Sequence, residues 1–315
     1  MLGEVPQKYQ FSHSKEKMSG SPREFFLERT GDVFTGGLNQ NWVYGCVNEK
    51  GTDKYVLRVP RSIKERTVTQ KSLQQELDGI GATEHGVAFV LRDIPQQARF
   101  IDGIRAQGLN TIDYFDVQEN AMLFPFFEGV PLHKYIASGH ASKTFSVVDG
   151  VLNHLTMAHR AGIVFGDRWV TNTLILPNED FAEVDFDIEL IGEHQRIATF
   201  ELAQTLYHLI HFSGSQHTDA MNMLEIYYRG NPKQLSGYDR NLLSAFLLGH
   251  QSYFMDRYRD KNELYEGLIP PGEEVNQFAH VLEDIYGGDN LTAHQKEASF
   301  HAQQSSISHA QYLQL

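Results

Sequence analysis

The sequence predicts an α+β fold of two lobes, with a small antiparallel sheet first and a larger, mainly helical part after it. Three observations predict this fold. Short strand patterns bounded by turn residues occupy residues 36–59 and 120–125. Two further short strands, at residues 173–176 and 181–184, are joined by a turn in the pattern of a hairpin. Apolar residues recur at helical spacing in the segments after residue 132.

Composition limits the classes of protein and partner. With 315 residues, 41% hydrophobic and 21% charged, the chain is long enough for one large domain or two lobes. Its net charge of −13, without any block rich in Lys and Arg, argues against a nucleic-acid partner. The single cysteine, Cys46, excludes an internal disulfide and a cysteine-based zinc cluster and favours a cytoplasmic location. No apolar stretch approaches the ~20 residues that span a bilayer, so no membrane partner is expected.

The distribution of residue types along the chain predicts four segments. Residues 1–24 form a flexible N-terminal segment and residues 291–315 a polar C-terminal tail, because both stretches are poor in apolar residues and rich in small polar ones. Residues 25–127 contain the sheet lobe. Residues 128–290 contain the helical lobe.

The first strands carry a possible phosphate-binding segment. Gly36 and Gly37 form a turn that enters a strand containing Asn41, and Arg58 lies on the next strand. Glycines allow backbone amides to approach phosphate oxygens closely, and a guanidinium can bind two such oxygens. The alternatives are an ordinary hairpin turn and an arginine at a strand edge that points to solvent.

Two amphipathic stretches compete as the helix that supplies a partner to Arg58. Apolar residues recur at near-helical spacing between residues 68 and 80, and Glu76 in this stretch follows Arg58 by 18 residues. We therefore expect Glu76 to be the partner. Residues 95–109 form a second helical pattern and suit the position equally, but they contain no glutamate.

The chemistry depends most on a segment in the second half of the chain. Asn172 follows Asp167 by five residues, and Asp185 follows Asn172 by thirteen, with the hairpin pattern between them. Phosphoryl transfer uses one carboxylate to orient the attacking hydroxyl, and an amide and a second carboxylate to hold magnesium. A hairpin would bring the three side chains to one edge. The alternative is a surface hairpin with acidic residues in its loops.

These segments together resemble the protein-kinase-like superfamily, within it the branch of choline kinases and aminoglycoside phosphotransferases. The resemblance rests on Gly36, Gly37, Asn41 and Tyr44, on the strand around Arg58, and on the spacing of the acidic segment. Residues 159–167 also resemble the atypical kinases of the RIO type. The similarity spans roughly residues 33–205, and it implies a bilobal protein-kinase-like fold with a nucleotide-binding lobe at residues 25–127.

The resemblance also implies cofactors and roles. ATP and Mg2+ would be the cofactors, with Asp167 as the catalytic residue and Asn172 and Asp185 as the metal ligands. The nucleotide would be positioned by the side chains and turn already described and by the backbone of a hinge after the strand at 120–125; the residues concerned are Gly36, Gly37, Asn41, Arg58, Glu76, Pro125, Phe126 and Phe127.

The chain departs from this family in three places. Arg58 replaces the usual strand lysine, and Phe165 replaces the histidine two residues before the catalytic aspartate. Asp187 stands where protein kinases have glycine, and Glu189 follows it. The two extra carboxylates either contribute to a second metal or cationic-substrate site or are solvated loop charges.

The expected activity follows from the segment after Asp187. No Ala-Pro-Glu signature and no long activation segment precede the next predicted helix. We therefore expect an enzyme, an ATP-dependent kinase that transfers the γ-phosphate to a hydroxyl of a small molecule of the choline or aminoglycoside class. The alternatives are a catalytically silent nucleotide-binding scaffold with a protein partner, suggested by the missing lysine and histidine, and an atypical protein kinase.

Overall fold

The computed structural model describes residues 8–10, 26–36, 38–48, 51–138, 141–213, 216–259 and 271–287. The predicted tail at 291–315 and the predicted site residue Gly37 lie outside these ranges. The described strands are β1 Lys8–Gln10, β2 Phe26–Gly36, β3 Asn39–Asn48, β4 Gly51–Pro60, β5 Ala88–Leu91, β6 Asp116–Gln118, β7 Ala121–Pro125, β8 Val130–Pro131, β9 Thr173–Ile175, β10 Phe181–Glu183 and β11 Ile188–Ile191. The α-helices are α1 Ile63–Ile80, α2 Ile94–Ala106, α3 Leu132–Ala137, α4 Ala141–Arg160, α5 His194–His211, α6 His217–Gly230, α7 Arg240–Arg259 and α8 Glu273–Gly287.

Six strands form one antiparallel sheet in the order β1-β2-β3-β4-β7-β6. Asn41 on β3 lies directly opposite Arg58 on β4, so their side chains share one face of the sheet. The neighbouring residue Leu57 belongs to the other face, where it packs in a small cluster with Tyr44, Tyr55 and Leu123. Strand β1 lies inside the segment 1–24, which the sequence predicts to be flexible, and pairs there with β2.

Helix α1 begins with a capping box, in which Ser62 and Glu65 satisfy each other's backbone amides. It packs on α7, and its second half buries Glu76, Leu77 and Ile80. The first half is different: Val68 is 62% exposed, although the apolar spacing placed it on the buried face. Only the C-terminal half of α1 is therefore anchored in the core.

The hairpin predicted between the two acidic segments is confirmed. Strands β9 and β10 pair antiparallel with Glu183 opposite Thr173, and the turn lies at residues 176–180. Strand β8 adds to the β9 edge, and β11 pairs separately with β5. The hairpin places Asn172 directly before one strand and the segment leading to Asp185 directly after the other.

Helix α5 lies at the centre of the helical part and packs against α6, α7 and α8. The sequence predicted one apolar face, but every residue from Ile197 to His211 is buried. Its polar residues are therefore core residues, and Glu201, Gln204 and His208 are each less than 4% exposed. Buried polar side chains require partners, and two of these three hold the candidate site.

The antiparallel sheet and the mainly helical remainder confirm the α+β prediction. None of the helices in the described ranges combines the length and the apolar character needed to cross a bilayer.

Candidate functional site

The structure brings Asp167, Asn172 and Asp185 together at the base of the β9–β10 hairpin. The Asn172 Nδ2 donates to the backbone oxygen of Asp167 at 2.9 Å. The backbone amide of Val184, the residue before Asp185, donates to the backbone oxygen of Asn172 at 2.9 Å. Arg168 adds a further link, because its Nη2 donates to the Asp185 backbone oxygen at 2.9 Å. Three residues from two distant chain segments are thus fixed by hydrogen bonds into one loop cluster.

Asp185 itself has an unusual backbone conformation. Its φ of +64° lies in the left-handed region, which a non-glycine residue adopts at an energetic cost that Asp tolerates better than most. Its side chain is 27% exposed and forms an ion pair with Arg58 at 3.0 Å. Strain that persists next to polar contacts of this kind is commonly found at functional sites.

Helix α5 fixes the loop that carries Asp167. The carboxylate of Glu201 accepts the backbone amides of Gly166 at 2.6 Å and Phe165 at 3.1 Å. One turn later, Gln204 accepts the Arg168 amide at 2.7 Å and donates to Asp167 Oδ1 at 2.9 Å. The carboxylate of Asp167 is therefore oriented by a side chain that is itself held in the core.

Gly166 is required by the close approach of β11 to this loop. Its φ is +118°, and a Cβ at this position would lie 2.2 Å from the backbone oxygen of Ile188. Neither the conformation nor the contact can accommodate a side chain without movement of one backbone segment.

We expect Gly166→Ala to lower the free energy of unfolding by about 3 kcal/mol, from backbone strain together with the clash. Urea unfolding followed by circular dichroism measures this. Gly103→Ala is the control, since Gly103 lies in α2 with an ordinary φ and open space around it, and alanine there should be neutral or slightly stabilising. Equal stability of the two variants would contradict the close contact between the loop and β11.

Phe165 supports the loop by packing. Its ring is fully buried, stacks on His154 with centroids 5.4 Å apart, and lies 6.1 Å from the ring of Phe186. The guanidinium of Arg168 lies 5.4 Å from both phenylalanine rings. Phe165 is thus part of an aromatic layer beneath the site.

Arg58 points into the site and not to solvent, but its partner is not the one predicted. Besides the ion pair with Asp185, its Nε donates to Asn41 Oδ1 at 3.0 Å and its Nη1 to Gln97 Oε1 at 3.2 Å. Glu76 forms no ion pair or hydrogen bond with Arg58 in the described structure, so that prediction is wrong. The helical partner of Arg58 is Gln97 of the competing helix α2, a residue with an amide group in place of the expected carboxylate.

Glu76 lies instead beside Asp167. Both carboxylates line a narrow cavity of about 20 Å³ together with Gly166 and Gln204. A cavity of this size holds about one water molecule. Glu76 is only 8% exposed, and it has no hydrogen-bond partner among the described residues. Helix α1 therefore places a second acid over the predicted catalytic acid.

The buried acids strongly affect each other's protonation. Burial, opposed by Arg168 and reinforced by Asp185, raises the pKa of Asp167 to about 7. Burial and the charge of Asp167 raise the pKa of Glu76 to about 8. Burial and the charge of Asp185 likewise raise the pKa of Asp187 to about 8, although Arg58 acts in the opposite direction. The cluster therefore holds protons at neutral pH that exposed carboxylates would have lost.

This cluster should make the unliganded protein less stable as pH rises. Each folded-state pKa lies above its unfolded value near 4, so the folded state binds more protons and loses stability between about pH 4.5 and 8. We expect Glu76→Gln to stabilise the protein by about 2 kcal/mol at pH 8 and to have little effect at pH 4. Urea unfolding at both pH values tests this. A constant difference across the range would contradict it.

Asp187 is a buried charge of the site, whereas the side chain of Glu189 is 45% exposed. Asp187 is 5% exposed and accepts a hydrogen bond from Asn39 Nδ2 at 3.0 Å. Asn39 begins β3 and pairs with Gly36 at the end of β2, so the predicted glycine turn is adjacent to the acidic segment. Glu189 pairs with Arg92 at 3.4 Å. Asp187 thus belongs to the site, whereas Glu189 is used elsewhere.

The predicted hinge is only partly available for base pairing. Pro125 pairs with Tyr55 at the end of β7, and the amide of Phe126 donates to the Lys54 oxygen at 3.1 Å. The Phe126 amide is therefore already used within the sheet lobe, and the prediction for this residue concerns its other backbone groups. The backbone of Phe127 makes no backbone hydrogen bond within the described ranges and remains the candidate contact.

The donor set suits magnesium better than a transition metal. Among the described residues, no group of three or more His, Cys, Asp or Glu side chains is arranged to hold a metal ion. Magnesium is commonly held by one or two carboxylates, with substrate phosphates and water completing its shell. Asp185 and the Asn172 side-chain oxygen fit that requirement; among the described residues, this oxygen accepts a hydrogen bond only from Thr171 Oγ1, at 3.5 Å.

Four residues of the site were not predicted: Asn39, Gln97, Glu201 and Gln204. Glu201 and Gln204 were detectable, because polar residues three apart within an otherwise apolar helix pattern are candidates for buried roles. Asn39 and Gln97 carry no comparable signal. They join elements 148 and 39 residues apart along the chain, which only the tertiary structure specifies.

Comparison of the chain with protein-family models gives no match, and comparison with curated proteins gives none either.

Proposed function

We propose that this protein is an ATP-dependent phosphotransferase with a bilobal, protein-kinase-like arrangement of its sheet and helical parts. The observation that carries the proposal is the convergence of Asp167, Asn172 and Asp185, with Arg58 reaching them from the sheet. A carboxylate, an amide and a second carboxylate beside a cation are the groups that phosphoryl transfer requires.

Asp167 would orient and deprotonate the attacking hydroxyl. Gln204 fixes one of its oxygens at 2.9 Å and leaves the other for an acceptor. A pKa of about 7 suits a general base at neutral pH, since the group is partly deprotonated and still accepts a proton readily. Alignment by this side chain would supply much of the rate enhancement.

Asn172 and Asp185 would hold Mg2+, whose role is to neutralise charge on the nucleotide phosphates. Arg58 would bind phosphate oxygens, for which its guanidinium is well suited. Arg58 now pairs with Asp185, so nucleotide binding requires that this contact be shared or replaced. Asn39 and Asn41 lie on the same strand and would flank the phosphates.

The acceptor would be a small molecule with a hydroxyl group, of the choline or aminoglycoside class. Asp167, Glu76 and Asp187 concentrate acidic groups in one place, and an acceptor with a positive charge would be favoured because it would stabilise their deprotonated forms. The cavity beside Asp167, of about 20 Å³, is too small for such a molecule. Glu76 and Leu73 of α1 must therefore move for the acceptor to enter.

The experiment that tests the proposal measures ATP binding with and without Mg2+, and phosphate transfer to a panel of amino alcohols and aminoglycosides. We expect Asp185→Asn to weaken Mg2+-dependent ATP binding about tenfold or more, because it removes the ligand charge. Asp180→Asn, at the opposite end of the same hairpin, is the matched control and should bind as the wild type does. Wild-type protein that binds no nucleotide would refute the proposal.

A second candidate is a silent nucleotide-binding scaffold, and the small volume of the cavity beside Asp167 favours it. A scaffold would bind ATP in the same experiment but transfer no phosphate to any acceptor. Transfer of labelled phosphate to the protein itself or to another protein would instead indicate an atypical protein kinase.

A further inference from the structure

A second cavity lies behind the Asp167 loop. It measures about 460 Å³ and lies between α2, strand β11 and the start of α5. Pockets that bind small molecules commonly span 300–1,000 Å³, so its size suits a ligand. Of the residues that line it, only Leu190 also lines the narrow cavity at Asp167, so the two cavities are separate.

Arg92 is a buried charged residue in the lining of this cavity, and it is only 6% exposed. Its Nη1 donates to the backbone oxygens of Phe165 at 3.3 Å, Phe186 at 3.2 Å and Ile188 at 2.6 Å. The guanidinium also lies 3.8 Å above the ring of Phe100. Its Nη2 makes no hydrogen bond to a described residue, so one donor group of a buried cation is available to a ligand.

The charges around the cavity favour an anion. Arg92 and the exposed Arg99 both line it, against one carboxylate, Glu189, which lies 3.4 Å from Arg92 Nε. The remaining wall includes the apolar side chains of Phe100, Ile163 and Leu190. A guanidinium binds carboxylate and phosphate groups through paired hydrogen bonds, and the apolar wall suits an aromatic or aliphatic body.

We propose that this cavity is a binding site for a small organic anion, a carboxylate or phosphate ester with an apolar body, held by Arg92 and Arg99. A ligand bound to Arg92 would contact a side chain that donates hydrogen bonds to the backbone oxygens of Phe165 and Phe186. These two residues are close in sequence to Asp167 and Asp185. Any effect of the ligand on phosphate transfer through these contacts rests on the proposed function, whereas binding itself does not.

Isothermal titration of the full chain with benzoate and phenyl phosphate tests the site, with benzyl alcohol as the uncharged control. We expect saturable binding of at least one anion, weakened about tenfold by Arg99→Gln. Glu189→Gln removes the competing carboxylate and should strengthen binding several-fold, a change opposite in sign. Arg105→Gln, on the same helix but paired with Asp113 outside the cavity, should have no effect.

Benzoate tests for a carboxylate ligand and phenyl phosphate for a phosphate ester, and binding of either supports the site. The proposal fails if neither anion binds, if benzyl alcohol binds equally well, or if neither Arg99→Gln nor Glu189→Gln changes the affinity. Arg99 and Glu189 are both substantially exposed, so the variants should fold, and circular dichroism confirms this. The assay contains no nucleotide, so its failure is independent of any failure in phosphate transfer.

Discussion

Asp167→Asn is expected to reduce phosphate transfer by about 10²-fold or more, because an amide orients a hydroxyl but cannot take its proton. The same variant should fold at least as stably as the wild type at pH 8. Asparagine resembles the protonated acid, which is the form that burial already favours at this position. Transfer rates at saturating ATP and Mg2+, together with urea unfolding at pH 8, measure both effects.

The combination of the two effects separates catalysis from support of the fold. A residue with a purely structural role would lose activity and stability together. Asp113→Asn is the control, since Asp113 forms a surface pair with Arg105 and should affect neither property. Undiminished transfer by Asp167→Asn to a confirmed acceptor would show that another group accepts the proton, and Glu76 is then the first residue to test.

Glu201→Gln should lower the free energy of unfolding by about 3 kcal/mol, as much as Gly166→Ala. The carboxylate is fully buried and accepts hydrogen bonds from the Gly166 and Phe165 amides. It also lies 2.6 Å from the His159 Nε2, and the other ring nitrogen of His159 contacts the Tyr238 hydroxyl at 2.8 Å. An amide group would direct its N–H toward one of these donors and leave that group unsatisfied.

The matched control is Glu193→Gln, at the N-terminal end of the same helix. Glu193 is 61% exposed and pairs only with Arg196, so its replacement should cost less than about 0.5 kcal/mol. Thermal or urea unfolding of both variants at pH 7 gives the comparison. Similar stabilities for the two would show that Glu201 is not the anchor of the loop.

The hairpin could be predicted from sequence because its determinants are local. Two short apolar strands and a turn fix the separation of Asn172 and Asp185 along the ladder, whatever the rest of the fold does. The spacing from Asp167 is similarly local. The sequence therefore identified the acids and the amide that the structure brings together.

The partner of Arg58 could not be predicted in the same way. Glu76 and Gln97 lie on successive helices with similar apolar patterns, and charge complementarity favoured the glutamate. The choice was decided by packing: α1 contacts α7, which directs Glu76 toward Asp167, while α2 contacts strands β6 and β7 of the sheet next to Arg58. Likewise, the burial of α5 on all sides results from three helices that surround it, which its own periodicity does not reveal.

The segment from Asp185 to Asp187 is joined to the sheet at both ends, through Arg58 to one aspartate and through Asn39 to the other. A divalent cation at Asp185 would compete with Arg58 for the same carboxylate oxygen. Cation binding is therefore thermodynamically linked to the Arg58–Asp185 contact between the sheet and this segment. Conditions that favour the cation should thus weaken this contact and leave Asn39–Asp187 as the remaining link of the segment to the sheet.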